Sequence, residues 1–89
     1  MLNIEYSGQF RRDFKRLKKR SKDMEKIKIP MNLLIQENPL PKVYLDHPLT
    51  GNWKGSRDLH IEPDWLLIYT KDKVTIRFER TGSHSDLFK

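Results

Sequence analysis

The chain is predicted to fold as an α+β domain, an antiparallel sheet of about four strands with two N-terminal helices on one face and a short C-terminal helix. Three observations predict it. The stretch Gly51 to His84 holds three strand-like runs together with the turn signals that join them. The segment before it carries apolar residues at helical spacing. The 89 residues fit one domain, 1–89, without repeats or low-complexity segments.

Taken in order, Leu2, Ile4 and Tyr6 alternate with Asn3 and Glu5, the period of a strand. Ser7 is placed to cap a first helix, in which Phe10, Phe14 and Leu17 form one apolar stripe. Arg11, Lys15, Lys18 and Lys22 share another face at the same spacing. A second helix is expected from near Asp23, with Met24, Ile27, Met31 and Leu34 on one side and a kink or break at Pro30. Pro39 and Pro41 end it.

Lys42 to Lys54 reads as a long connection carrying His47, which the following Pro48 pushes towards an extended conformation. Leu59 and Ile61 then alternate with Asp58, His60 and Glu62. Glu62-Pro63-Asp64-Trp65 has proline at a favoured turn position. Trp65 to Thr70 is apolar on both faces, as in a central strand, and Val74, Ile76 and Phe78 alternate with Thr75, Arg77 and Glu79. Short turns make these three runs antiparallel neighbours. The first strand joins an edge, and the face away from the helices is expected to stay open and polar. Ser83 can cap a terminal helix through Phe88.

Composition narrows the function. Without cysteine, a disulfide framework and a Cys-based zinc site are excluded. The longest apolar run, Trp65 to Tyr69, is far short of the ~20 residues of a membrane span. No basic segment followed by an apolar one opens the chain, so a cytoplasmic protein without membrane contact is expected. The net charge of +6 is concentrated, since Arg11 to Lys28 holds ten Lys/Arg against three Asp/Glu. Such a focus suits a polyanion such as RNA, or simply a solvated helix face.

His47, His60, Asp64, Arg80 and His84 are the residues that could carry chemistry. Histidine transfers protons near neutrality, and arginine offers a planar fork of donors to a phosphate. Together they would suffice for RNA cleavage without a metal or other cofactor. No His-x-His or His-x-x-x-His pair suggests a metal site. Strand parity is a difficulty: Arg80 shares the parity of Ile76 and Phe78, and His60 opposes that of Leu59. A bulge, or an arginine reaching round the sheet edge, would reconcile them.

The segments IEYSGQF (Ile4–Phe10), DHPL (Asp46–Leu49), GNWKGSRDLHIEPDWLLIY (Gly51–Tyr69) and RFERTGSHSDLF (Arg77–Phe88) together resemble the YafQ branch of the RelE-like toxins of bacterial toxin–antitoxin systems. The resemblance covers nearly the whole chain. It implies a RelE-like fold and an endoribonuclease that cuts messenger RNA in the ribosomal A site. It also implies docking on ribosomal RNA through the basic patch, and a cognate, DinJ-like antitoxin that covers the active surface. Among the site residues it implies His84 as general acid, His60 with Asp64 as general base or its support, Arg80 on the scissile phosphate and His47 assisting. Phe88 would stack on a base. Trp65 and Lys54 are further candidates for substrate contact, although Trp65 also suits the core. The same superfamily holds ParE-like toxins that poison DNA gyrase, and a non-catalytic RNA-binding module would also explain the charge. Neither needs three histidines.

Overall fold

The computed structural model describes residues 1–88. The chain runs β1 (Asn3–Tyr6), α1 (Gly8–Lys19), α2 (Glu25–Ile35), β2 (His47–Pro48), β3 (Arg57–Glu62), β4 (Trp65–Lys71), β5 (Thr75–Gly82) and α3 (His84–Leu87). Short 3-10 turns at Lys42–Tyr44 and Gly51–Trp53 flank β2. The sheet order is β1-β5-β4-β3-β2. The expected α+β class holds, with one more strand than expected.

The meander β3-β4-β5 is antiparallel throughout, but β1 lies parallel to β5, with Ile4 opposite Ile76 and Tyr6 opposite Phe78. The helices and the long connection carry the chain to the far edge of the sheet. Three antiparallel strands then bring β5 back beside β1 in the same direction. The sheet is therefore mixed, where an antiparallel one was expected.

Ser7 caps α1 as its sequence predicts, its hydroxyl accepting from the Phe10 N–H at 2.9 Å. That hydroxyl also donates to the Glu79 carbonyl at 2.6 Å, tying the helix start to β5. Phe10 and Leu17 bury the α1 stripe, with Phe14 packed against it. Of the kink or break expected at Pro30, the break does not occur, and α2 continues through the proline. The proline removes one hydrogen bond, to the carbonyl of Lys26, and that residue is exposed, so water can serve the freed oxygen. Both helices cover the sheet face formed by Leu59, Trp65, Leu67, Tyr69, Ile76 and Phe78.

The opposite face is not simply open. Leu66 and Ile68 are fully buried there beneath Leu87 of α3, with Leu49 and Trp53 of the β2 connection packed alongside. This small second cluster holds α3 and the connection against the sheet, on the face that carries the histidines. Among the described residues, no helix is long and apolar enough to cross a membrane.

Candidate active site

Two bulges decide what this face presents. In β3–β4, His60 pairs with Leu66 and Glu62 with Trp65, so Ile61 is the extra residue. In β4–β5, Tyr69 pairs with Phe78 and Ile68 with Arg80, so Glu79 is the extra residue. Directly paired residues of an antiparallel sheet share a face. His47, Asp58, Ile68 and Arg80 therefore form one row across the sheet, and His60 and Leu66 begin the next. The bulge at Glu79 thus resolves the parity conflict by moving Arg80 onto the face of His60.

The three histidines are successive neighbours, with His60 between the other two. Ring centroids are 6.2 Å apart for His47 and His60, 5.8 Å for His60 and His84, and 6.4 Å for His84 and Phe88. His84 opens α3, which Ser83 and Asp86 cap reciprocally. Asp86 also pairs with Arg20, which caps the end of α1, at 2.9 Å. Gly82 permits this docking, because a Cβ there would sit 2.9 Å from Asp86 Oδ2.

Asp64 belongs to His84 and not to His60, contrary to the expected pairing. Its Oδ1 accepts from the His84 backbone N–H at 2.9 Å and faces His84 Nδ1 at 2.5 Å. The backbone bond first, and then the ring bond, hold the Asp64 carboxyl below its ordinary value. An ionised carboxylate only accepts, so Nδ1 carries the proton and Nε2 faces outward for proton exchange.

His47 is fixed differently. Leu45 adopts a left-handed backbone, φ 52, rare for a residue other than glycine. Its carbonyl takes the Nδ1 proton of His47 at 2.7 Å. Nε2 then lies 2.9 Å from Asp58 Oδ1, without the alignment of a hydrogen bond. Asp58 is buried, and desolvation pushes its carboxyl above the ordinary value, while His47 and His60 oppose that shift. The connection is anchored beside His47, where Asp46 accepts from Arg57 at 2.9 Å and from the Tyr69 hydroxyl at 2.5 Å.

Arg80 is held by Asp13 of α1, with Nε to Oδ2 at 2.7 Å and Nη2 to Oδ1 at 3.1 Å. Sequence reasoning missed both aspartates. Asp58 alternates like any solvent-facing strand residue. Asp13 offered one signal, a charge at i+3 from Phe10 on the buried stripe.

Other candidates fare unevenly. Phe88 is 43% exposed beside His84, free to meet a base. Trp65 is fully buried, its Nε1 donating to Thr81 Oγ1 at 2.9 Å, so it cannot stack on substrate. Lys54 is exposed past the Gly51–Trp53 turn and makes no ion pair among the described residues. Lys15 and Lys18 are exposed and likewise unpaired among the described residues, and Arg11 lies 5.5 Å from the Tyr6 ring centroid. Lys22 instead pairs with Glu62 at 3.0 Å. His47, Asp58 and His60 offer ligand atoms within 4.8 Å of one another, the one grouping of this kind among the described residues.

Residues 2–89 match the family model described as the bacterial toxin of type II toxin–antitoxin system, YafQ. The chain belongs to the YafQ toxin family. It is 59% identical to the mRNA interferase toxin YafQ of Escherichia coli K12, over 97% of this chain and 95% of that protein. YafQ from the crystal structure of the E. coli DinJ–YafQ complex superposes with a TM-score of 0.94 at 57% identity, each chain fully covered. A metal-bound toxin from Helicobacter pylori gives a TM-score of 0.92 at 42% identity, covering 99% of this chain and all of that one. The YafQ resemblance and its fold are thus established on this chain.

Proposed function

We propose that the protein is a ribosome-dependent mRNA interferase, cutting messenger RNA in the ribosomal A site and neutralised by an antitoxin. The observation that carries this is the run of neighbours His47–His60–His84 on one face, with the Arg80 fork in the row of His47. A gyrase poison would leave that cluster idle. The interferase name of the 59% identical E. coli relative supports the same reading.

In the proposed reaction His60, beside the His47–Asp58 pair, removes the proton of a ribose 2′-hydroxyl. The 2′-oxygen attacks the adjacent phosphorus, and the P–O5′ bond breaks. His84 Nε2 gives its proton to the departing 5′-oxygen, leaving a 2′,3′-cyclic phosphate and a 5′-hydroxyl. Asp64 steadies the imidazolium from the Nδ1 side. Arg80 meets the charge that accumulates on the phosphoryl oxygens. Phe88 stacks on a neighbouring base.

The partner reading has its own support. Between α1 and α2 lies a groove of about 530 Å³, floored by Tyr6, Phe10, Phe14, Met31 and Ile35 and rimmed by Arg11, Lys15 and Lys28. An antitoxin segment with an apolar face and acidic flanks fits it, in keeping with the DinJ partner of the E. coli relative. The metal-bound H. pylori relative likewise favours ion capture by His47, Asp58 and His60, which would occupy the lone pairs that catalysis needs.

The test is induction of the chain alone, with mapping of mRNA 5′ ends and parallel incubation of purified protein with programmed ribosomes. Translation arrest with new 5′ ends inside reading frames is expected. Arrest with intact mRNA and inhibited supercoiling would replace the nuclease with a gyrase poison.

A further inference from the structure

Asp13 is an unusual residue to find where it is. It lies on α1 between Phe10 and Leu17, on the stripe that faces the protein interior, and is 2% exposed. A charge in that position is unfavourable unless its lone pairs are met. Here all the partners converge. Arg80 Nε and Nη2 approach at 2.7 and 3.1 Å, the Thr81 backbone N–H at 3.2 Å, and Arg16 Nη2 at 2.8 Å. Three of these four donors come from two consecutive residues directly after the Glu79 bulge.

The geometry has a consequence for the arginine. Guanidinium has five N–H donors in a rigid plane. Asp13 engages Nε and one Nη2 proton, leaving both Nη1 protons and the second Nη2 proton for a ligand. The side chain keeps 18% of its surface exposed, so it is not sealed inside the fold. With Arg16 on the same carboxylate, and with Asp86 and its partner Arg20 counted in, three cations face two anions, and one positive charge remains for a phosphate. The Thr81 bond fixes the backbone two residues before Ser83. Arg16 extends the same network towards Asp86 of α3, at 3.9 Å.

We propose that Asp13 is the positioning residue for Arg80, holding its guanidinium in one orientation so that its free edge meets the phosphoryl oxygens as charge develops on them. The inference rests on the nuclease reading for what Arg80 does, but the restraint on Arg80 is independent of any activity.

The first measurement therefore needs neither substrate nor variant. In the ¹⁵N-labelled parent protein, the Arg80 Nε–H resonance should be slow to exchange and as rigid as the backbone. A fast-exchanging, mobile Arg80 signal would overturn the proposal even if the protein cuts RNA. The second is a double-mutant cycle of Asp13→Asn and Arg80→Ala, read as single-turnover cleavage of ribosome-bound mRNA, with ribosome affinity and urea unfolding followed alongside. Asp13→Asn should slow cleavage roughly 10–100-fold, an effect on the chemical step, with affinity changed less than about twofold. In the Arg80→Ala background the same change should slow cleavage no further. A full additional loss there would make Asp13 a structural residue only. If no form of the protein cleaves RNA, the functional reading fails while the Nε–H result still decides the restraint.

Discussion

The Asp64 carboxylate accepts both the backbone N–H and the ring Nδ1–H of His84, with one oxygen serving both donors. This fixes the ring by its Nδ1 side and turns Nε2 to solvent. It predicts that His84→Ala and His84→Gln lose cleavage by roughly 10²–10⁴-fold, because glutamine hydrogen-bonds but transfers no proton near neutrality. His84 is exposed, so circular dichroism and unfolding should be near parental. A folded His84→Ala protein cutting at the parental rate would remove His84 as the acid.

Phe88 and Trp65 should separate binding from stability. Trp65→Phe removes the hydrogen bond to Thr81 and should lower stability by about 1–2 kcal/mol, with RNA contact unchanged. Phe88→Ala removes a half-exposed ring and should weaken RNA binding with a stability change within about 0.5 kcal/mol. Urea denaturation with binding to a short RNA checks both. Parental RNA binding by Phe88→Ala would end its stacking role.

Reversal of charge at Lys15 and Lys18 should weaken ribosome association most at low salt. Each lost phosphate contact removes about 0.7–0.9 from the slope of log affinity on log salt, so the gap to the parent narrows as salt rises. Lys22 is left out because it holds Glu62. Identical slopes for parent and variant would make this helix face merely solvated.

Zinc or copper should bind one site and inhibit cleavage reversibly. Bonds of ~2.0–2.1 Å are typical for such ions, and His47 Nε2 and Asp58 Oδ1 already lie 2.9 Å apart, with the Leu45 carbonyl fixing the His47 tautomer. Isothermal titration should show the site lost in His47→Ala, and a chelator should restore activity. Undiminished binding by that variant would place the ion elsewhere.

Acid should loosen α3 late. The Arg20 guanidinium beside Asp86 holds that carboxyl well below the ordinary carboxylate range, with the Ser83 cap adding to the effect. A depressed folded value means the stabilisation is complete above the unfolded value of ~3.9, declines as pH falls below it and is gone once pH has fallen through the lower, folded value. Asp86→Asn should therefore loosen α3 already at pH 7, while the parent keeps it docked to well below pH 4. Amide exchange of residues 84–88 against pH measures this, and equal protection in both proteins at pH 7 would refute it.

Much of the molecule was legible from local pattern. Alternation marked β3 and β5, a helical stripe marked α1, Ser7 and Ser83 announced their caps, and the motif segments singled out His47, His60, Asp64, Arg80 and His84. These signals are short-range, because a strand's period of two and a helix's 3.6 appear in any window of a few residues. Other features depended on partners distant in the chain. A parallel β1 follows from the route of the whole chain and not from its own residues. The Glu79 bulge turns Arg80 to the histidine face only through its register with Ile68. Asp64 finds His84 twenty positions on, and Asp13 finds Arg80 sixty-seven on. Trp65 suits core and substrate contact alike until Thr81 takes its N–H in the core. Sequence by itself thus determined the elements and the chemical groups available. Which groups face one another was decided by tertiary packing, because register, bulges and buried charge pairs are set by contacts that form only once the whole sheet and both helices are in place.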